Sequence, residues 1–192
     1  QSENQLPIFE LANGATLSNV IIGSPAADGV HCKGTCTLKN VWWEDVGEDA
    51  ATLQGTSASQ VMTIDGGGAK KASDKIFQHN GPGTMVIQNF CANDFGKLYR
   101  SCGNCGTQYT RHVQVTNVSL ITSTASLGVV GMNSNYNDTA DLHGIYVHGT
   151  KTIAICQRYT GNDTGAEPPT NGSGADGVVC RYDPATDVII LK

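Results

Sequence analysis

Four short polar clusters carry the residues of this chain that could do chemistry. Ala27-Asp28-Gly29 holds one acid, Glu48-Asp49 holds two, Ser73-Asp74-Lys75 pairs an acid with an amine, and Asp94-Phe95-Gly96-Lys97 runs on to Arg100. Asp28 and Asp49 are 21 residues apart, Asp49 and Lys75 are 26, and Lys75 and Arg100 are 25. A period of 21 to 26 residues is one coil of a solenoid, so the four positions are expected to stack along one face. Hard carboxylate oxygens converging from Asp28, Glu48 and Asp49 suit Ca²⁺, which takes several oxygen ligands and keeps positions open for water. Lys75 can serve as a base once its amine loses a proton, which neighbouring cations make easier. Arg100 stays protonated, and its planar fork matches a carboxylate. The chemistry this predicts is metal-assisted proton abstraction, with Lys75 as base and Arg100 on a substrate carboxylate. Lys71 and Lys97 would line a groove for an acidic polymer, and Glu44 and Asp45 compete for the ligand role. The plainer reading is solvated acids after turns and scattered surface lysines; the shared spacing of acids and cations weighs against it.

The elements that must position these clusters are short strands. Residues 15 to 24, ATLSNVIIGS, are β-branched and end at Gly23. The phrase apolar, any, Asn, apolar recurs with its Asn at 19, 40, 89 and 117, and Val61 to Ile64 fills the gap without one. An internal repeat at this period, with strands of four or five residues and no helical periodicity, predicts a parallel β-solenoid. Asn recurring where strand gives way to turn tolerates unusual backbone angles. A β-sandwich also returns strands every 8–12 residues, but clean hairpin signals are scarce here. After Val129 the pattern weakens: Met132 to Asp138 reads as polar loop, Ile145 to His148 and Thr152 to Ile155 as strands. Residues 161–177 read as one long surface loop, and Asp187 to Leu191 as a closing strand. The whole of 1–192 is read as a single all-β domain.

Composition narrows the class further. The chain has 192 residues, 15% of them charged, 6% aromatic and 23 of them Gly, which suits short strands and tight turns rather than a bundle. A net charge of -5 without a Lys/Arg block argues against nucleic acid, and no apolar run is long enough to span a bilayer. No signal peptide is visible, so Gln1 reads as the start of a processed or trimmed chain. Seven cysteines and sequons at Asn117, Asn137, Asn162 and Asn171 point to a secretory, extracellular route. Asn117 lies in a strand-like pattern and is expected to face the interior. Cys32-x-x-x-Cys36 and Cys102-x-x-Cys105 lack a His pair at zinc spacing and a βαβ context, so local disulfides are expected. Cys156 and Cys180 would pair across the long loop, leaving Cys91 buried and free. Gly66-Gly67-Gly68-Ala69-Lys70-Lys71 lacks the terminal Gly-Lys-Ser/Thr of a phosphate loop. His143 and His148 read as structural; His79, near Lys75, is the histidine closest to the candidate chemistry.

With these residues in place, the chain resembles the family 3 polysaccharide lyases, secreted pectate lyases of microbes and plant parasites. The resemblance rests on Ala27-Asp28-Gly29-Val30-His31-Cys32, Trp43 to Ala50 (WEDVGEDA), Ala72-Ser73-Asp74-Lys75 and Gly96-Lys97-Leu98-Tyr99-Arg100. Arg100 to Cys105 and Ser134-Asn135-Tyr136 look like its fungal branch. It implies a right-handed parallel β-helix and Ca²⁺-dependent β-elimination on polygalacturonate. By position it implies Asp28, Glu48 and Asp49 as calcium ligands, Lys75 as base and Arg100 as the essential arginine. Glu3, Lys71 and Lys97 fall on substrate-binding positions. The family usually carries a further coil before the position of Gln1, which leaves the cap of the first coil open. The expected partner is pectin or polygalacturonate, acted on by a monomer. Two rivals remain: a metal-independent polygalacturonase-like hydrolase built on Asp49, Asp74 and Asp94, and a non-catalytic solenoid module for binding carbohydrate or ice. An ice-binding module would want a Thr-x-Thr ladder, and Thr122-Ser123-Thr124 stands nearly alone.

Overall fold

The structure, a computed structural model, describes residues 5–191. Fifteen strands form one sheet wound on itself. In chain order they are β1 (Phe9–Leu11), β2 (Ala15–Ile22), β3 (Val30–Cys32), β4 (Cys36–Trp43), β5 (Ala51–Leu53), β6 (Val61–His79), β7 (Gly83–Gln88) and β8 (Cys91–Ser101). They continue as β9 (Arg111–Ile121), β10 (Gly128–Asn133), β11 (Thr139–His148), β12 (Ala154–Tyr159), β13 (Thr170–Ser173), β14 (Cys180–Arg181) and β15 (Val188–Leu191). Every pairing is parallel except β12 with β13. Parallel strands stacked coil upon coil, with one short 3₁₀ turn at Ser134–Tyr136, make a parallel β-helix. The long strands β6 and β8 bend around corners and so contribute to more than one face.

Inside and outside alternate along each strand, as a pleated backbone requires. Ile22, Trp43, Ala69, Ala92, Leu120 and Val147 are register partners in successive coils and all are buried. Leu38, Ile64, Ile87, Val115 and Leu142 form a second buried column. Between the columns Trp43, Phe77 and Phe90 pack with ring centroids 5.1 to 6.5 Å apart.

The recurring Asn marks a corner. Asn19, Asn40, Asn89 and Asn117 have φ of 56°, 53°, 56° and 55°, in the left-handed region that Asn tolerates. Where the phrase lacks its Asn, Gly66 takes the same register position at φ 73°, and Gly144 does so in the coil after Asn117. Side-chain amides link the corner along the axis: Asn40 Nδ2 donates to Asn19 Oδ1 at 2.9 Å and Asn117 Nδ2 to Asn89 Oδ1 at 2.8 Å. In the coil that lacks the Asn, Asp65 accepts from Asn89 Nδ2 at 2.8 Å. Asn117 is therefore exposed at a corner rather than turned inward, and its amide is already committed.

Three further sequence expectations change. Met132 and Asn133 belong to β10 rather than to a loop, because Val130 to Asn133 keep pairing with β12. Residues 161–177 are not one loop: β13 folds back antiparallel on β12. The disulfides Cys32–Cys36, Cys102–Cys105 and Cys156–Cys180 form as expected. Cys91 is free but exposed rather than buried, since its register partners Gly68 and Ser119 place it on the outward side of the wall.

Candidate active site

The face formed by β1, β3, β5, the end of β6, β8, β10 and β12 carries the charged residues. Val30, Ala51, Phe77 and Tyr99 are register partners there. Two residues upstream of them lie Asp28, Asp49, Lys75 and Lys97, one per coil. The fourth member of this row is thus Lys97, not Arg100, because Lys75 pairs with Lys97 across a local coil of 22 residues. Arg100 stands in the neighbouring outward row with Glu10, His31, Thr52 and Gln78. The spacing of 25 overshoots the local coil by three residues; the irregularity between Ala72 and Lys75 changes the register by one, from 23 to 22.

Lys75 is the junction. Its Nζ lies 3.1 Å from Asp74 Oδ2, 3.3 Å from Asp49 Oδ1 and 3.6 Å from Glu48 Oε1. Burial alone would lower the pKa of this ammonium, but Asp49, Asp74 and Glu48 outweigh it and hold Lys75 above its ordinary value. Burial pushes the Asp49 carboxyl up to about 7; Lys75 pulls it down, while Asp28 and Glu48 push it further up by like charge. Asp74 stays below its usual range because Lys75 and Lys97 outweigh its burial. Lys97 Nζ reaches Asp74 Oδ1 at 3.3 Å. Asp28 Oδ2 accepts from His31 Nε2 at 2.7 Å.

Around this junction runs a groove with two halves. The acidic half is lined by Asp28, His31, Glu48, Asp49 and Thr52, the basic half by Lys97 and Arg100 together with Asp74 and Glu167; Lys75 and Gln78 belong to both. Asp28 Oδ1 is buried and makes no hydrogen bond, and Asp49 Oδ1, also buried, faces only the Lys75 ammonium at 3.3 Å. Buried carboxylate oxygens left that way are poised for a cation. Among the described residues, no three acidic, His or Cys side chains are close enough to hold an ion by themselves. Arg100 donates from Nη1 to Asn133 Oδ1 at 3.1 Å, and burial lowers its pKa from the usual value.

Other expected site residues fall elsewhere. Glu3 lies outside the described residues. Lys71 is exposed at φ 62°, sits 3.8 Å from Asp45 and is not among the residues lining the groove. Asp94, required by the hydrolase alternative, is exposed on a left-handed turn and does not line the groove either. His79 is fully buried in the column inside β6, its Nδ1 2.8 Å from Tyr99 Oη, and has no part in the groove. Missed at the sequence level were Gln78, His31 and the supports of Arg100. Gln78 and His31 carry a legible signal, since each is the polar residue between two inward ones on its strand.

The fold and the site define a class: a parallel β-helix with an open groove, acids on its early coils and cations on the later ones. The chain belongs to the pectate lyase family, whose model matches residues 1–166. Probable pectate lyase E of Aspergillus fumigatus is 45% identical over 175 residues, 91% of this chain and 66% of that protein. Pectate lyase Pel3 from Pectobacterium carotovorum superposes with a TM-score of 0.88 at 30% identity, covering 99% of this chain and 61% of that one. Pectate lyase PelI from Erwinia chrysanthemi, solved in complex with tetragalacturonic acid, gives 0.78 at 29%, covering 94% of this chain and 71% of that one. The chain spans just under two thirds of the length of the first curated relatives it matches.

Proposed function

We propose that this chain cleaves α-1,4-linked polygalacturonate by β-elimination, with calcium, outside the cell. The observation that carries the reading is Lys75 at the seam of the groove, an amine flanked by Asp28, Glu48 and Asp49 on one side and by Lys97 and Arg100 on the other. Family membership supports the substrate class, and three disulfides support an oxidising compartment.

The residues divide the work by charge. Arg100 offers its fork to a uronate carboxylate, and Lys97 adds positive charge beside it. Asp28, with its unbonded buried oxygen, and Asp49, whose buried Oδ1 faces Lys75, would hold the cation, with Glu48 beside them. Lys75 is kept charged by its three carboxylate neighbours, so proton uptake needs their charge taken up elsewhere; a hard dication held there would supply that and would make the proton beside the bound carboxylate more acidic. Lys75, its own ammonium proton given up to solvent, takes the C5 proton on Nζ; the C5–H electron pair forms the C4–C5 double bond, the C4–O4 bond breaks, and the departing O4 takes a proton from solvent. Arg100 steadies the negative charge that gathers on the carboxylate meanwhile. No water adds, so the product carries a 4,5-unsaturated end.

The test is the near-ultraviolet absorbance of that end on polygalacturonate, with and without chelator. Absorbance that rises with Ca²⁺ and stops with chelator is expected. Chain cleavage without the chromophore would mean hydrolysis, and full activity in chelator would remove the metal.

A further inference from the structure

Arg100 stands in a built slot rather than on an open face. Its Cζ lies 4.0 Å from the centroid of the Tyr159 ring. Its Nη1 donates to Asn133 Oδ1 at 3.1 Å. Asn133 is itself fully buried and held by its own amide, Nδ2 donating to Ser101 Oγ and the Cys102 carbonyl, both at 3.0 Å. That leaves Oδ1 fixed towards Arg100. Gly131, the register partner of Arg100 on β10, makes room: a Cβ there would meet Arg100 Cδ at 2.7 Å and Tyr159 Cε2 at 3.2 Å. On the other side a Cβ on Gly103 would collide with the guanidinium.

Tyr159 is placed by strands rather than by a free loop. It ends β12, opposite Asn133 on β10 and Thr170 on β13. Its carbonyl accepts from Ser134 Oγ at 3.2 Å, and Cys156–Cys180 ties the same strand to β14. One hydrogen bond uses one of the five N–H donors of Arg100, and the others meet no protein acceptor among the described residues.

We propose that Tyr159 is a positioning residue for Arg100: the ring face sets the plane of the guanidinium and Asn133 sets its rotation, so that its free N–H edge is presented to the groove before substrate arrives. A long side chain otherwise loses much rotamer freedom on binding, and a planar support removes that loss beforehand. Contact with the electron-rich ring face is favourable in its own right when partly desolvated. For its effect on catalysis the proposal rests on the reading that Arg100 holds the substrate carboxylate.

The experiment compares Tyr159→Phe and Tyr159→Leu, each alone and with Arg100→Lys. Tyr159→Phe keeps the ring face and should stay within about twofold of wild type in kcat/KM. Tyr159→Leu keeps apolar volume without the face, and kcat/KM should fall roughly 5- to 30-fold at an unchanged melting temperature. With Arg100→Lys already present, Tyr159→Leu should cost less than about twofold more, since the partner it orients is gone. The Nε–H resonance of Arg100, shifted by the ring beneath it, should move in Tyr159→Leu and hold in Tyr159→Phe. An unmoved resonance in Tyr159→Leu, or an undiminished loss beside Arg100→Lys, overturns the proposal. Should the resonance move as expected while wild type releases no unsaturated product, the positioning stands and the proposed reaction falls.

Discussion

Lys75 lies within 3.6 Å of three carboxylates, so its charge state is set by its neighbours more than by its own burial. A group held protonated by acids is a poor base until those acids are engaged elsewhere. Lys75→Ala should therefore lose most of kcat with substrate still bound. Lys75→Arg should be nearly as poor, because a guanidinium keeps its proton and cannot take another. The pH–rate profile of Lys75→Arg decides: near-normal turnover with an unshifted profile would mean another group is the base. His79 makes a separate prediction about stability. Burial, with Arg111 nearby, drops its pKa from 6.5 to about 3. Between these values the unfolded chain binds a proton that the native state refuses. The stabilisation is complete above pH 6.5 and is lost as pH falls towards 3, at about 1.4 kcal/mol per pH unit. Urea melts of wild type and His79→Gln at pH 7, 5.5 and 4 should converge as the pH drops; parallel curves would show that His79 titrates normally.

Among the elements, the Asn corner is both the most legible and the most testable. Its phrase was readable because the left-handed turn accepts few residue types, so each coil spells it nearly the same way. Asp65 was not readable as part of it, because it replaces the missing side chain from the position before the turn, where no repeat exists. Asn89 donates to Asp65 and accepts from Asn117. Asn89→Asp removes the donor and sets two carboxylates against each other, while still tolerating the backbone angle. It should destabilise by roughly 1–3 kcal/mol near neutral pH and much less below about pH 4, where one carboxyl can carry a proton and donate. Adding Asp65→Asn should restore most of the loss at neutral pH by returning a donor to the pair. Thermal melts check both, and a pH-independent loss would place the cause in packing instead.

Across the whole molecule, the row of Asp28, Asp49, Lys75 and Lys97 was half visible in the sequence. The acids and the lysine share a spacing near one coil, but a coil is not a fixed number of residues, and three residues of slack moved Arg100 to the next row. Tyr159 and Asn133 were beyond reach altogether: they lie where the repeat fades, and their part depends on which side chains face one another across strands. The site is consequently strung along the axis, with acids on the early coils, cations in the middle and the arginine's support on β12, beyond which, among the described residues, only β13 lies on that face. A strand covered on its outer side by a four-residue antiparallel neighbour is held by fewer bonds than one between two long coils, so it opens more easily. Warming should thus fray the support before it melts the scaffold. Turnover should fall by half several degrees below the midpoint of the far-ultraviolet circular dichroism transition, and recover on cooling, while coincident curves would show the axis opening as one unit. Heat would then act on this molecule first as a reversible brake, slackening one arginine while the coils that carry the acids stay wound.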